Sequence, residues 1–118
     1  MTPADVAARV ERELSAFRAG DPPAGPGLLG RPWSADRVAR GVEALRTALV
    51  PPRPVALLVP PGAGGAERRK AWVVASARGM LVVLNPAAGE FALADPAGEG
   101  EAVDLDVRGD LVGTFLAA

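Results

Sequence analysis

Near residue 50 the spacing of the apolar residues changes, and that change constrains the fold more than any other feature of the chain. Up to Leu49 they recur every three or four positions, the stripe of an amphipathic helix. From Val55 onward they come in short runs or in alternation, as strands require. The expected architecture is α+β in a single domain, residues 1–118, with a helical part over 2–50 and a sheet part over 54–118.

The first helix has a full start signal. Thr2 stands as N-cap, Pro3 at the first helical position and Asp5 three residues past the cap, with Met1 and Val6 placed as a hydrophobic staple. Val6, Val10, Leu14 and Phe17 form its apolar stripe, and Gly20 to Pro23 end it. Ser34 caps the second helix, Trp33 is set to staple onto Val38, and Val38, Val42, Leu45 and Leu49 make the stripe. Gly41 inside that helix costs up to about 1 kcal/mol relative to alanine, which close packing against the first helix would justify. Pro51 and Pro52 are expected to stop the segment.

Five short strands follow: Val55–Val59, expected to be covered on both faces, then Trp72–Ala75, Met80–Leu84, Phe91–Ala94 and Val103–Val107. In the last, Val103, Leu105 and Val107 alternate with Asp104 and Asp106, which are expected on a wet face. Leu111–Leu116 reads either as a sixth strand or as a short helix capped by Asp110. Turns at Ala77–Gly79 and Asn85–Gly89 are too short for parallel crossovers. Two helices packed on an antiparallel meander are therefore expected, not a doubly wound sheet.

Composition removes several functions. Without cysteine there are no disulfides, thiolate metal sites or iron–sulfur clusters. General acid–base chemistry lacks its usual agents, since histidine and tyrosine are also absent, and Ser15, Ser34 and Ser76 have no visible activating base. The expectation is a protein that is not an enzyme and uses no metal or cofactor. A net charge of −1 speaks against a dedicated nucleic-acid binder. The first residues lack a secretory pattern and no apolar stretch approaches a membrane span, so the cytoplasm is the expected location. The bias to Ala, Arg, Gly and Pro is that of a GC-rich bacterial genome.

Charge is unevenly placed. Residues 1–70 carry 11 basic and 7 acidic side chains, residues 71–118 carry 2 and 7. Two segments stand out as candidate binding sites. The loop before the second helix holds Leu28, Leu29 and Trp33 among glycines and prolines, an apolar patch suited to a protein partner. The Gly62–Lys70 connection joins a glycine-rich stretch to Arg68, Arg69 and Lys70, a cluster suited to an anion or an acidic partner. Its glycines match neither phosphate-loop pattern, because Lys70 is followed by Ala71 and Glu67 stands where a third glycine is required. Asp104 and Asp106 lack the further ligands of a calcium loop, and Arg108-Gly109-Asp110 reads as a turn. The leading functional expectation is a small protein-interaction module, an adaptor, inhibitor, immunity-type protein or assembly factor. Homodimerisation through a sheet edge or the apolar loop fits the same picture. The alternative is a small-ligand or anion-binding domain.

Overall fold

A computed structural model describes residues 1–16, 35–59 and 67–117. Its elements are α1 (Pro3–Ala16), α2 (Ala35–Ala48), β1 (Leu49–Val59), β2 (Glu67–Ala77), β3 (Met80–Asn85), β4 (Glu90–Pro96), β5 (Glu101–Gly109) and α3 (Leu111–Leu116). The α+β class and the five strands in meander order agree with the sequence reading. The helix arrangement and the closure of the sheet do not.

The start of α1 is a reciprocal capping box. The Thr2 N–H donates to Asp5 Oδ2 at 2.8 Å, and the Asp5 N–H donates to Thr2 Oγ1 at 3.2 Å. The hydrogen bond from the Thr2 backbone, and then that with its hydroxyl, hold the Asp5 carboxyl below its ordinary value of 3.8. Since the folded value is the lower one, the stabilisation is complete above 3.8 and is lost as pH falls through the folded value. Asp5→Ala is therefore expected to lower the melting temperature at neutral pH and to change it little in strong acid, as followed by circular dichroism. Met1, expected to staple onto Val6, instead remains 61% exposed. Phe17, the Gly20–Pro23 stop, Trp33 and the Ser34 cap lie outside the described residues.

The second helix ends before Pro51 and Pro52, as expected, but no loop follows it. The helix stops at Ala48, and β1 begins at Leu49 and runs through Pro51, Pro52 and Pro54. This is tolerated because the β1–β2 register slips between Leu49, opposite Ala75, and Arg53, opposite Val73. Pro51 and Pro52 fall in that bulge, where a missing N–H breaks no regular ladder bond, while Pro54 lies beyond it, opposite Trp72. Leu49, assigned from sequence to the helical stripe, is thus a strand residue.

The meander closes on itself. Strands β1 to β5 pair antiparallel in order, and Ala56–Leu58 of β1 pair parallel with Glu101–Val103 of β5. An odd number of meandering strands leaves the first and last pointing the same way, so closure has to be parallel. Among the described residues the two leading helices are not each other's main neighbours, as Gly41 suggested they would be. Instead α1 packs on β1, β2 and α3, and α2 on α3 and β2. A Cβ at Gly41 would come within 2.0 Å of Leu116 Cδ2, so this glycine admits α3, not α1. Leu111–Leu116 resolves as a helix because Asp110 Oδ1 accepts the Gly113 N–H at 3.2 Å.

Two apolar cores result. Inside the barrel, Val55, Leu57, Val73, Leu81 and Val83 meet Ala71, Ala92, Ala94 and Ala102. Outside it, Val6, Val10 and Leu14 of α1, Leu45 of α2 and Leu111 and Val112 of α3 cover Val74, Val82, Leu84, Phe91 and Leu93. Alternate residues of β3 and β4 serve one core or the other, and these are the strands covered on both faces. The Val55–Val59 run is not: Val55 and Leu57 are buried while Ala56, Leu58 and Val59 stay half-exposed. Polar ties fasten α1 to the rest, Arg9 donating to the Gly89 carbonyl at 2.9 Å and Glu13 accepting the Leu111 N–H at 3.3 Å.

Candidate functional site

The half-exposed face of β1 is continued by β2. Because Ala71 and Val73 point into the barrel, Arg68, Lys70 and Trp72 alternate onto its outer surface. Opposite them in register stand Leu58, Ala56 and Pro54 of β1. The basic triplet therefore belongs to a strand and not to the glycine-rich connection, a correction that follows from Glu67 already pairing with Val59. Gly62 to Gly65 themselves lie outside the described residues, as do Leu28, Leu29 and Trp33.

Of these, Arg68, Lys70, Trp72, Ala56 and Pro54 line an open groove of about 770 Å³, to which Met1, Pro86, Gly100 and Arg69 also contribute. Trp72 is half-buried, with part of its ring against the helix-side core and part in the groove. No carboxylate or hydroxyl side chain is among the described lining residues. Arg68 pairs with Glu101 of β5 at 3.4 Å, and Arg69 Nε donates to Glu67 Oε2 at 2.9 Å. All four side chains are more than a third exposed, and such pairs contribute only about 0–1 kcal/mol. Lys70 makes no ion pair among the described residues.

Three cationic groups, Arg68, Arg69 and Lys70, sit beside the Trp72 ring, the prolines Pro54 and Pro86, and the apolar Met1 and Ala56. The triplet was visible in the sequence, but Trp72 was read only as a strand residue. The signal was there in the alternation of Arg68, Lys70 and Trp72 at every second position.

The acidic pair of β5 takes a different place from the one expected. Asp104 is only 4% exposed, while Leu105 is 37% exposed. The β4–β5 register slips between Ala92, opposite Arg108, and Ala94, opposite Asp104, and within that bulge Asp106 turns to φ +62°. Asp104 Oδ1 accepts the Asp106 N–H and Oδ2 accepts from Arg108 Nη2, both at 2.8 Å. The two carboxylates therefore share no wet face, and the buried one is occupied with holding the bulge. Arg108, Gly109 and Asp110 are likewise absorbed, as the partner of Asp104, the end of β5 and the cap of α3. No helix among the described residues is long and apolar enough to cross a membrane.

Comparison with protein families, with curated proteins and with solved structures finds no match to this chain.

Proposed function

We propose that this chain is a non-enzymatic interaction module whose groove across β1 and β2 receives an extended, acidic segment of a partner protein. The observation that carries the reading is the placement of Trp72, half-buried, on the same strand face as Arg68 and Lys70. Aromatic and arginine side chains in a partly desolvated groove are the residue types that dominate binding energy at interfaces. The form of the groove supports an extended ligand. Strand addition is disfavoured because β1 and β5, which would otherwise be the edges, pair with each other. Recognition then falls to side chains, with Arg68 and Lys70 reading charge and Trp72, Pro54 and Met1 offering apolar contact.

A fluorescent dodecapeptide alternating Glu with Leu serves as the probe. Binding is expected to weaken by about tenfold or more in Arg68→Glu/Lys70→Glu, a loss of at least about 1.4 kcal/mol, and to weaken with added salt. Both positions are exposed, so the fold should survive the reversal. Unchanged binding in that variant would sink the proposal. Leu29→Ser/Trp33→Ala, run alongside, tests the apolar loop: loss of binding there with retention in the charge-reversed protein would move the site to Leu28, Leu29 and Trp33. The anion-binding alternative on the Gly62–Lys70 connection predicts instead that inorganic phosphate displaces the peptide.

A further inference from the structure

A second cleft, separate from this groove, lies between α2, the β2–β3 turn and α3. Arg37, Arg40, Gly41 and Ala44 recur at helical spacing and present one face of α2. The hairpin turn brings Ala77 and Arg78, and α3 brings Phe115 and Leu116, enclosing about 300 Å³. Three guanidinium groups thus border one small cavity whose described lining contains no carboxylate. Arg37 is also engaged within the protein. Arg40 and Arg78 make no ion pair among the described residues.

The placement of Arg78 works against the local backbone. It occupies the first central position of a two-residue turn with φ +55°, followed by Gly79 at φ +76°. Asparagine or glycine suits this turn type better. Like charges brought together at such a position are relieved by an anion, and a planar guanidinium fork matches phosphate oxygens. A phosphate monoester carries about −1.5 to −2 charge at neutral pH and answers several cations better than a single carboxylate does. The floor of Gly41, Ala44, Phe115 and Leu116 is apolar and asks for an apolar body on the ligand. The volume is at the small end for ligand pockets.

We propose that this cleft binds a compact phosphate monoester, with Arg40 and Arg78 holding the phosphate and Phe115 and Leu116 packing its organic group. Phenyl phosphate is the probe, titrated calorimetrically against the full chain beside inorganic phosphate and phenol. Phenyl phosphate is expected to bind more tightly than either. Arg78→Asn, which relieves the turn while removing the cation, should keep or raise the melting temperature and weaken binding at least tenfold. Arg40→Gln, on an exposed helix surface, should do the same to binding without altering the fold. Arg68→Glu/Lys70→Glu should leave phenyl phosphate binding unchanged, which separates this site from the groove. The proposal is overturned if phenyl phosphate does not bind at millimolar concentration, or if Arg40→Gln and Arg78→Asn both bind as the parent does. It is equally overturned if inorganic phosphate binds as tightly, since the apolar floor then contributes nothing.

Discussion

Phe91→Ala is expected to lower the stability of the protein by about 3–5 kcal/mol, the range for deleting a fully buried aromatic ring. The ring is wholly buried on the outer face of β4, beneath the helices, and the Arg9 guanidinium lies over it at 5.4 Å from the centroid. Its removal opens a cavity at the joint between barrel and helices and takes away a cation–π contact worth about 0.5–1 kcal/mol. Against a total stability of about 5–15 kcal/mol for a domain of this size, the variant should unfold at much lower urea with an unchanged slope. A loss below about 1 kcal/mol would mean that the helices do not seal the outer face.

Leu57→Ala probes the other core. Leu57 is buried inside the barrel, where alanines 71, 92, 94 and 102 are among its neighbours. Alanine has no further reach with which to fill a void, so the site collapses poorly and a loss toward the upper part of about 2–5 kcal/mol is expected. The two clusters share no buried residue. The double variant should therefore be additive to within about 0.5 kcal/mol. Strong coupling in urea denaturation would show that the barrel interior and the helix-covered face act as one core.

The parts of this fold that rest on local chemistry were legible before the structure. Thr2 and Asp5 announce a capping box, Ala77-Arg78-Gly79 a tight hairpin, and Asn85-Pro86 a turn in which Asn85 Oδ1 accepts the Ala87 N–H at 3.1 Å. What failed was each inference in which a distant partner decides the outcome. Pro51 and Pro52 rightly mark the end of the helix, but nothing near them in the chain reveals that β1 runs through them at a bulge against β2. Asp104 read as solvated because Val103, Leu105 and Val107 look like the buried set, whereas register opposite Ala94 puts Asp104 on the barrel-facing side with Ala102. Gly41 signalled close packing correctly, yet only tertiary structure identifies Leu116 as the neighbour. The candidate site divides in the same way. Arg68 and Lys70 stand out as charge, whereas Trp72 becomes a candidate only once it is seen lining the groove beside them. The arginine cleft joins positions 37 and 40 of α2 to position 78 of the β2–β3 turn, a juxtaposition that no linear spacing encodes.

The three-residue pairing between β1 and β5 also bears on the order in which the protein assembles. Its partners lie 45 positions apart, from Ala56 to Glu101, while the β2–β3 and β3–β4 hairpins join strands across two and four residues. Short loops close at little entropic cost and on microsecond timescales, and distant segments meet later. The hairpins therefore form ahead of the closing contact, and the barrel has a seam, with the Ala56 N–H held by the Gly100 carbonyl at 2.8 Å as one of its few stitches. A joint that short is expected to be the last made in folding and the first to part when the native molecule opens locally, as hydrogen exchange at the Ala56 N–H would show.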